Sequence, residues 1–183
     1  MTLVLASRSP QRREILERLG LEFVVRPTDV EELTHGDPDA VARENALRKA
    51  LAAAPQPGEL VLGVDTIVAL DGELYGKPAS AEQARRTLRA LSGRTHTVIS
   101  GLALLVADRE AQLHSAATAV SFREFDQPML DWYVSTGEWR ERSGGYAIQQ
   151  AGGALVRAIE GDYTNVVGLP LALLLDVWPE VLG

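Results

Sequence analysis

The run LVLGVDTIVAL, Leu60 to Leu70, constrains this chain more than any other stretch. It is apolar almost throughout, broken only by Gly63, Asp65 and Thr66, and too short to cross a membrane as a helix. It reads as a strand, and Asp71-Gly72 behind it signals a hairpin whose second arm is Glu73 to Tyr75. A carboxylate inside such a strand is expensive to bury alone. Asp65 must therefore meet a cation, a metal or several donors, or the strand must break there. An aspartate hydrogen-bonded at a bulge, with Gly63 as its support, is the structural alternative to a site, and both stand open here.

The rest of the chain supplies both kinds of element. Thr2 to Ala6 reads as a strand, Pro10 to Leu19 as a helix capped by Ser9 and stopped by Gly20, and Glu22 to Arg26 as a second strand. A helix starts at Asp37 or Pro38 and runs to about Ala53; another, capped by Ser80, runs to about Leu91. His96 to Ala107 and Gln112 to Phe125 are long strands around Asp108-Arg109-Glu110, followed by a helix at Gln127 to Thr136. Tyr146 to Gln149 and Ala154 to Ile159 are predicted short strands, and Leu169 to Leu175 a closing helix. The stretch from Asn165 to Pro170 reads as a strand or turn with a structural role. The expectation is a mixed α/β fold, as one domain or two small lobes sharing a sheet.

Composition excludes several functions. The 183 residues carry a formal net charge of -7, which argues against nucleic-acid binding but leaves room for a small anion in one basic pocket. There is no cysteine, so disulfide and thiolate chemistry is out, and the three histidines lie too far apart for metal-ligand spacing. The N-terminus lacks the basic start and apolar centre of a signal peptide, so a soluble cytoplasmic protein without a membrane role is expected. G-x-S-x-G, the Walker A loop and G-x-G-x-x-G are all absent.

Candidate residues cluster in short motifs. In LASRSPQRREIL, Arg12 lies beside the unpaired N–H groups of a helix N-terminus, which suit an anion; a solvated arginine paired to a nearby acid is the plainer reading. The loop Asp29-Val30-Glu31-Glu32 could join Asp65 in offering hard oxygen ligands to Mg²⁺. Lys49 and Lys77 are possible phosphate contacts, with GKP holding Lys77 in a rigid turn. Gln149 sits among small residues, where its amide could read a base edge.

Together and in order, LASRSPQRREIL, the DVEE loop, Lys49-Ala50, GVDTIVALDGELYGKP, LSGRTHTV, SGGYAIQ and NVVGLPL resemble the Maf family of nucleoside triphosphate pyrophosphatases. The resemblance implies an elongated mixed sheet with flanking helices and a cleft between two lobes, related to the inosine triphosphate pyrophosphatases. It implies metal-dependent cleavage between the α and β phosphates, with Mg²⁺ or Mn²⁺ as cofactor. By position it makes Ser7 and Arg12 phosphate-handling residues, and Glu32 and Asp65 the acidic and metal-holding positions, Asp65 also being the proton acceptor. Lys49 and Lys77 match phosphate-side lysines, and Thr66 and Gln149 match positions linked to base choice. Arg8 and Gln11 stand where the family commonly has glycine and arginine; Gln11 falls at a position associated with substrate choice, and Arg8 is expected to restore the charge that Gln11 omits. The resemblance points to the dTTP/UTP subgroup. Preference for 7-methyl-GTP, a regulatory nucleotide-binding role linked to septum formation, and a homodimer all remain open.

Overall fold

The computed structural model describes residues 1–182. Strand β1 (Thr2–Leu5), helix α1 (Pro10–Arg18) and strand β2 (Phe23–Val25) open the chain, and α2 (Pro38–Ala52) follows the acidic loop. The hairpin β3 (Glu59–Leu70) and β4 (Glu73–Tyr75) leads to α3 (Ala81–Leu91). Two long strands, β5 (Thr95–Val106) and β6 (Gln112–Phe122), precede α4 (Gln127–Thr136). Strand β7 (Val156–Glu160) and the helices α5 (Tyr163–Val167) and α6 (Leu171–Val177) complete the fold.

Local chemistry sets the helix starts. Ser9, Asp37, Ser80 and Asp126 each accept a hydrogen bond from an N–H in the first turn of α1, α2, α3 and α4. A proline stands in that turn in α1, α2 and α4, where its missing N–H costs nothing.

The sheet runs β2-β1-β3-β5-β6-β7, with β4 paired to β3. β1 is parallel to β2 and β3, and the remaining pairs are antiparallel. One face carries α2, whose Ala42, Ala46 and Ala50 pack on Val61, Ile67 and Ala103. Small side chains let this helix lie close, and two strand glycines let it lie closer still. A Cβ on Gly63 would stand 2.2 Å from the Ala46 carbonyl oxygen, and one on Gly101 2.1 Å from that of Ala42. Gly63 therefore serves helix contact and marks no bulge: β3 and β5 pair without interruption from Leu60 to Ala69.

The opposite face holds two apolar clusters. Leu60, Leu62, Val64, Leu102 and Leu104 pack with Leu16 of α1 and Leu174 of α6. Val68, Leu70, Val98 and Val120 pack with Leu88 of α3 and Tyr133 of α4. Between the clusters the same face carries Thr66 and Ser100, whose hydroxyls lie 2.8 Å apart. That polar seam separates two apolar bodies built on one sheet.

Two expected elements differ. Tyr146 to Gln149 forms no strand; Tyr146 instead turns into the core, where its hydroxyl lies 2.8 Å from His96 Nε2. The stretch around Asn165 is helical, and its buried amide donates to Val98 O and Thr118 Oγ1.

His96 is 1% exposed, and burial lowers its pKa to about 4. Its folded value lies below the ordinary value of about 6.5, so the unfolded chain takes up the proton first as pH falls. Stability present above pH ~6.5 is lost towards pH ~4, by up to about 3 kcal/mol. Denaturant titrations across that window should show the loss, and His96→Gln should flatten it. An equally steep profile in the variant would assign the effect elsewhere.

Candidate active site

The cleft begins where β1 leaves the sheet. β1 pairs with β3 only as far as Leu62, and β4 joins the same edge only from Val68. The edge of β3 between them is open, and Asp65 and Thr66 lie on it. Three segments converge there: the turn from β1 to α1, the turn at Ser143–Gly145, and Gly168 after α5. Ser143 anchors the second by donating to Thr66 O at 2.7 Å. The result is a cleft of about 410 Å³ at the polar seam, whose apolar lining includes Val68, Val98 and Tyr146 of the second cluster. Ser7, Arg8, Gln11, Arg12, Glu32, Lys49, Asp65, Thr66, Lys77 and Gln149 all line it, and of the acidic loop only Glu31 does not.

At one end sits the acidic group. Asp65 is 5% exposed, and its two oxygens have separate partners. Lys49 Nζ donates to Oδ1 at 2.6 Å and lies 2.7 Å from Glu32 Oε1, bridging the two acids. Asn45 Nδ2 donates to Asp65 Oδ2 at 3.0 Å. The same amide donates to Leu33 O and accepts from Leu33 N, which pins the acidic loop against α2 and places Glu32. Lys49 and Asn45 are one helical turn apart, so both reach the strand from the same face of α2. Burial raises the Asp65 pKa, but attraction to Lys49, its hydrogen bond, the Arg12 charge and the Asn45 amide outweigh burial and carry it below the ordinary value. The carboxylate is ionised at neutral pH.

Arg12 forms the second group. It is 8% exposed, and Nε donates to Gly168 O at 2.8 Å, Nη1 to Ser7 Oγ at 2.9 Å and Nη2 to Thr66 Oγ1 at 3.1 Å. Burial lowers its pKa while Asp65 and Glu32 oppose that shift; an arginine keeps its charge at neutral pH regardless. Arg12 is thus buried and fixed, not solvated. Its neighbour Arg13 is the surface residue, paired with Glu17 at 2.6 Å.

Arg8, Lys77 and Gln149 are exposed on the cleft wall and make no side-chain hydrogen bond among the described residues, leaving their polar ends available to a ligand. Four groups escaped the motif reading: Asn45, Ser100, the Gly168 carbonyl and Arg142. Asn45 had one available signal, being a polar residue on the apolar stripe of α2.

Two carboxylates from separate segments gathered on one cation suit Mg²⁺ or Mn²⁺, which takes one or two carboxylates and completes its shell with substrate phosphates and water. Among the described residues no group of three or more His, Asp or Glu side chains is gathered so as to hold a metal ion. No described helix is long and apolar enough to cross a membrane.

Fold and site together define an α/β protein with a charged cleft for an anionic ligand. The model of the family described as Maf-like protein matches residues 2–180, and the chain belongs to that family. It is 43% identical to the dTTP/UTP pyrophosphatase of Pyrococcus furiosus, over 96% of this chain and 93% of the relative. It is 46% identical to that of Moorella thermoacetica over 98% of each chain, and 48% identical to that of Anaeromyxobacter dehalogenans over 93% and 89%. Among solved structures, a HAM1 protein from Coxiella burnetii superposes with a TM-score of 0.59 at 22% identity, covering 98% of this chain and all of that one, and so shares the fold.

Proposed function

We propose that this protein hydrolyses dTTP and UTP to the nucleoside monophosphate and pyrophosphate. The observation that carries the reading is the meeting of Arg12 with the Lys49-bridged pair Glu32 and Asp65 in one cleft. Relatives at 42–48% identity named dTTP/UTP pyrophosphatase supply the base preference.

Cleaving between adjacent phosphates requires charge neutralisation, an oriented water and a proton acceptor. Lys77, exposed on the wall, and the N-terminal turn of α1 offer positive charge to the phosphates. Arg12 holds Ser7 and Thr66 in place beneath them and adds its own charge. Asp65 orients the attacking water. Its depressed pKa makes it a weak base at rest, so it takes the proton as the new phosphorus–oxygen bond forms. Glu32 and Asp65 would hold Mg²⁺ or Mn²⁺, which neutralises phosphate oxygens when bound. Gln149, exposed on the cleft wall with its amide unbonded, is offered to the base and sugar.

A triphosphate panel with Mg²⁺ or Mn²⁺ tests the reading. dTTP and UTP should give the highest kcat/KM; preference for 7-methyl-GTP would overturn the base assignment.

A further inference from the structure

Arg142 is placed in the cleft by a loop built to hold it. It precedes the turn at Ser143–Gly145, where Ser143 Oγ donates to Thr66 O and Gly144 N to Gly76 O at 3.2 Å. Gly144 has φ +69°, and a Cβ there would stand 2.8 Å from Val68 Cγ2, so the turn is seated hard against β3. From this turn Arg142 Nη1 reaches across to donate to Gln11 Oε1 at 2.7 Å. That oxygen also accepts from Ser9 Oγ at 3.1 Å. No carboxylate lies within 4.0 Å of Arg142 among the described residues, and its buried Nε has no partner.

A guanidinium offers five donors, and a neutral amide oxygen leaves its charge uncompensated. Leaving a buried donor unpaired is costly unless a ligand completes it. The turn that Arg142 faces suits an anion, since the first turn of α1 contains no acid and Ser9 and Gln11 belong to that turn or its cap; Glu141, next in the chain, lines the cleft without pairing with Arg142. We propose that Arg142 is a substrate-phosphate contact, held by Gln11 across the cleft until the nucleotide arrives. This rests on the nucleotide reading of the cleft and adds a residue to it. The cation that Gln11 faces is thus Arg142, from the far wall, while Arg8 stays exposed with no bond to it.

Binding of inorganic pyrophosphate, measured by calorimetry in magnesium buffer, tests this without turnover. Arg142→Ala should weaken pyrophosphate at least about tenfold, the scale of a lost charge-assisted contact, and raise KM for dTTP similarly with kcat within about threefold. Arg142→Lys should recover part of the affinity, and it serves in place of the alanine variant should that fail to fold. Arg140→Ala removes an equal charge from the same loop, where Arg140 is exposed and lies over the Trp139 ring, and should leave pyrophosphate affinity unchanged. Equal pyrophosphate affinity in wild type and Arg142→Ala, or equal losses in the Arg142 and Arg140 variants, overturns the inference. Wild-type pyrophosphate binding without dTTP turnover would count against the proposed reaction while leaving Arg142 testable.

Discussion

Replacing Asp65 by asparagine lowers turnover of dTTP at least about a hundredfold, the scale expected when a general base is lost. The substitution keeps the side chain's shape and removes its charge. Lys49 then keeps only Glu32 as a counter-charge, and the water near the phosphates loses its acceptor. The loss should appear in kcat more than in KM, because the forming bond loses its proton acceptor while Lys77 and the first turn of α1 remain to hold the phosphates. Far-ultraviolet circular dichroism and a thermal midpoint on the same sample separate chemistry from unfolding. Full activity in a folded Asp65→Asn protein would remove Asp65 from the reaction.

Gly101→Ala costs stability and activity together, and Gly63→Ala does the same. In each, the new methyl meets a backbone carbonyl of α2 at little more than 2 Å, so the whole helix must lift from the sheet. Overpacking of this kind costs about 1–3 kcal/mol and occasionally more. For a chain of this size that is a fall of roughly 3–10 °C in the thermal midpoint. The helix that lifts is the one that carries Asn45 and Lys49 to Asp65, so kcat should fall beyond what partial unfolding explains. Gly76→Ala is the comparison, since nothing lies within 4 Å of its added methyl, and its stability should change by no more than about 0.5 kcal/mol. Equal midpoints for all three variants would show that the close seat of α2 is not what these glycines provide.

Much of this was legible because it is local. Ser9, Asp37 and Ser80 cap the helices expected from them, and the long strands coincide with the apolar runs of the sequence. The demand that Asp65 meet a cation or several donors is met by Lys49 and Asn45 together. What stayed hidden depends on partners distant in sequence. Gly63 suggested a bulge because its own strand was all that could be read, whereas its reason lies in the helix crossing the sheet. Tyr146-Ala147-Ile148-Gln149 alternates like a strand but finds no strand to pair with, and Tyr146 is drawn inward by His96 instead. Arg142 meets Gln11 across 131 residues, a contact that no spacing announces. Motifs brought the site's residues to notice; topology, the end of β1 beside a longer β3, brings them to one cleft.

The central claim is the bond that this cleft breaks. Phosphorus NMR of dTTP turned over by the wild-type protein with Mg²⁺ resolves the products directly. The account predicts dTMP and pyrophosphate in equal amounts; dTDP and orthophosphate would contradict it.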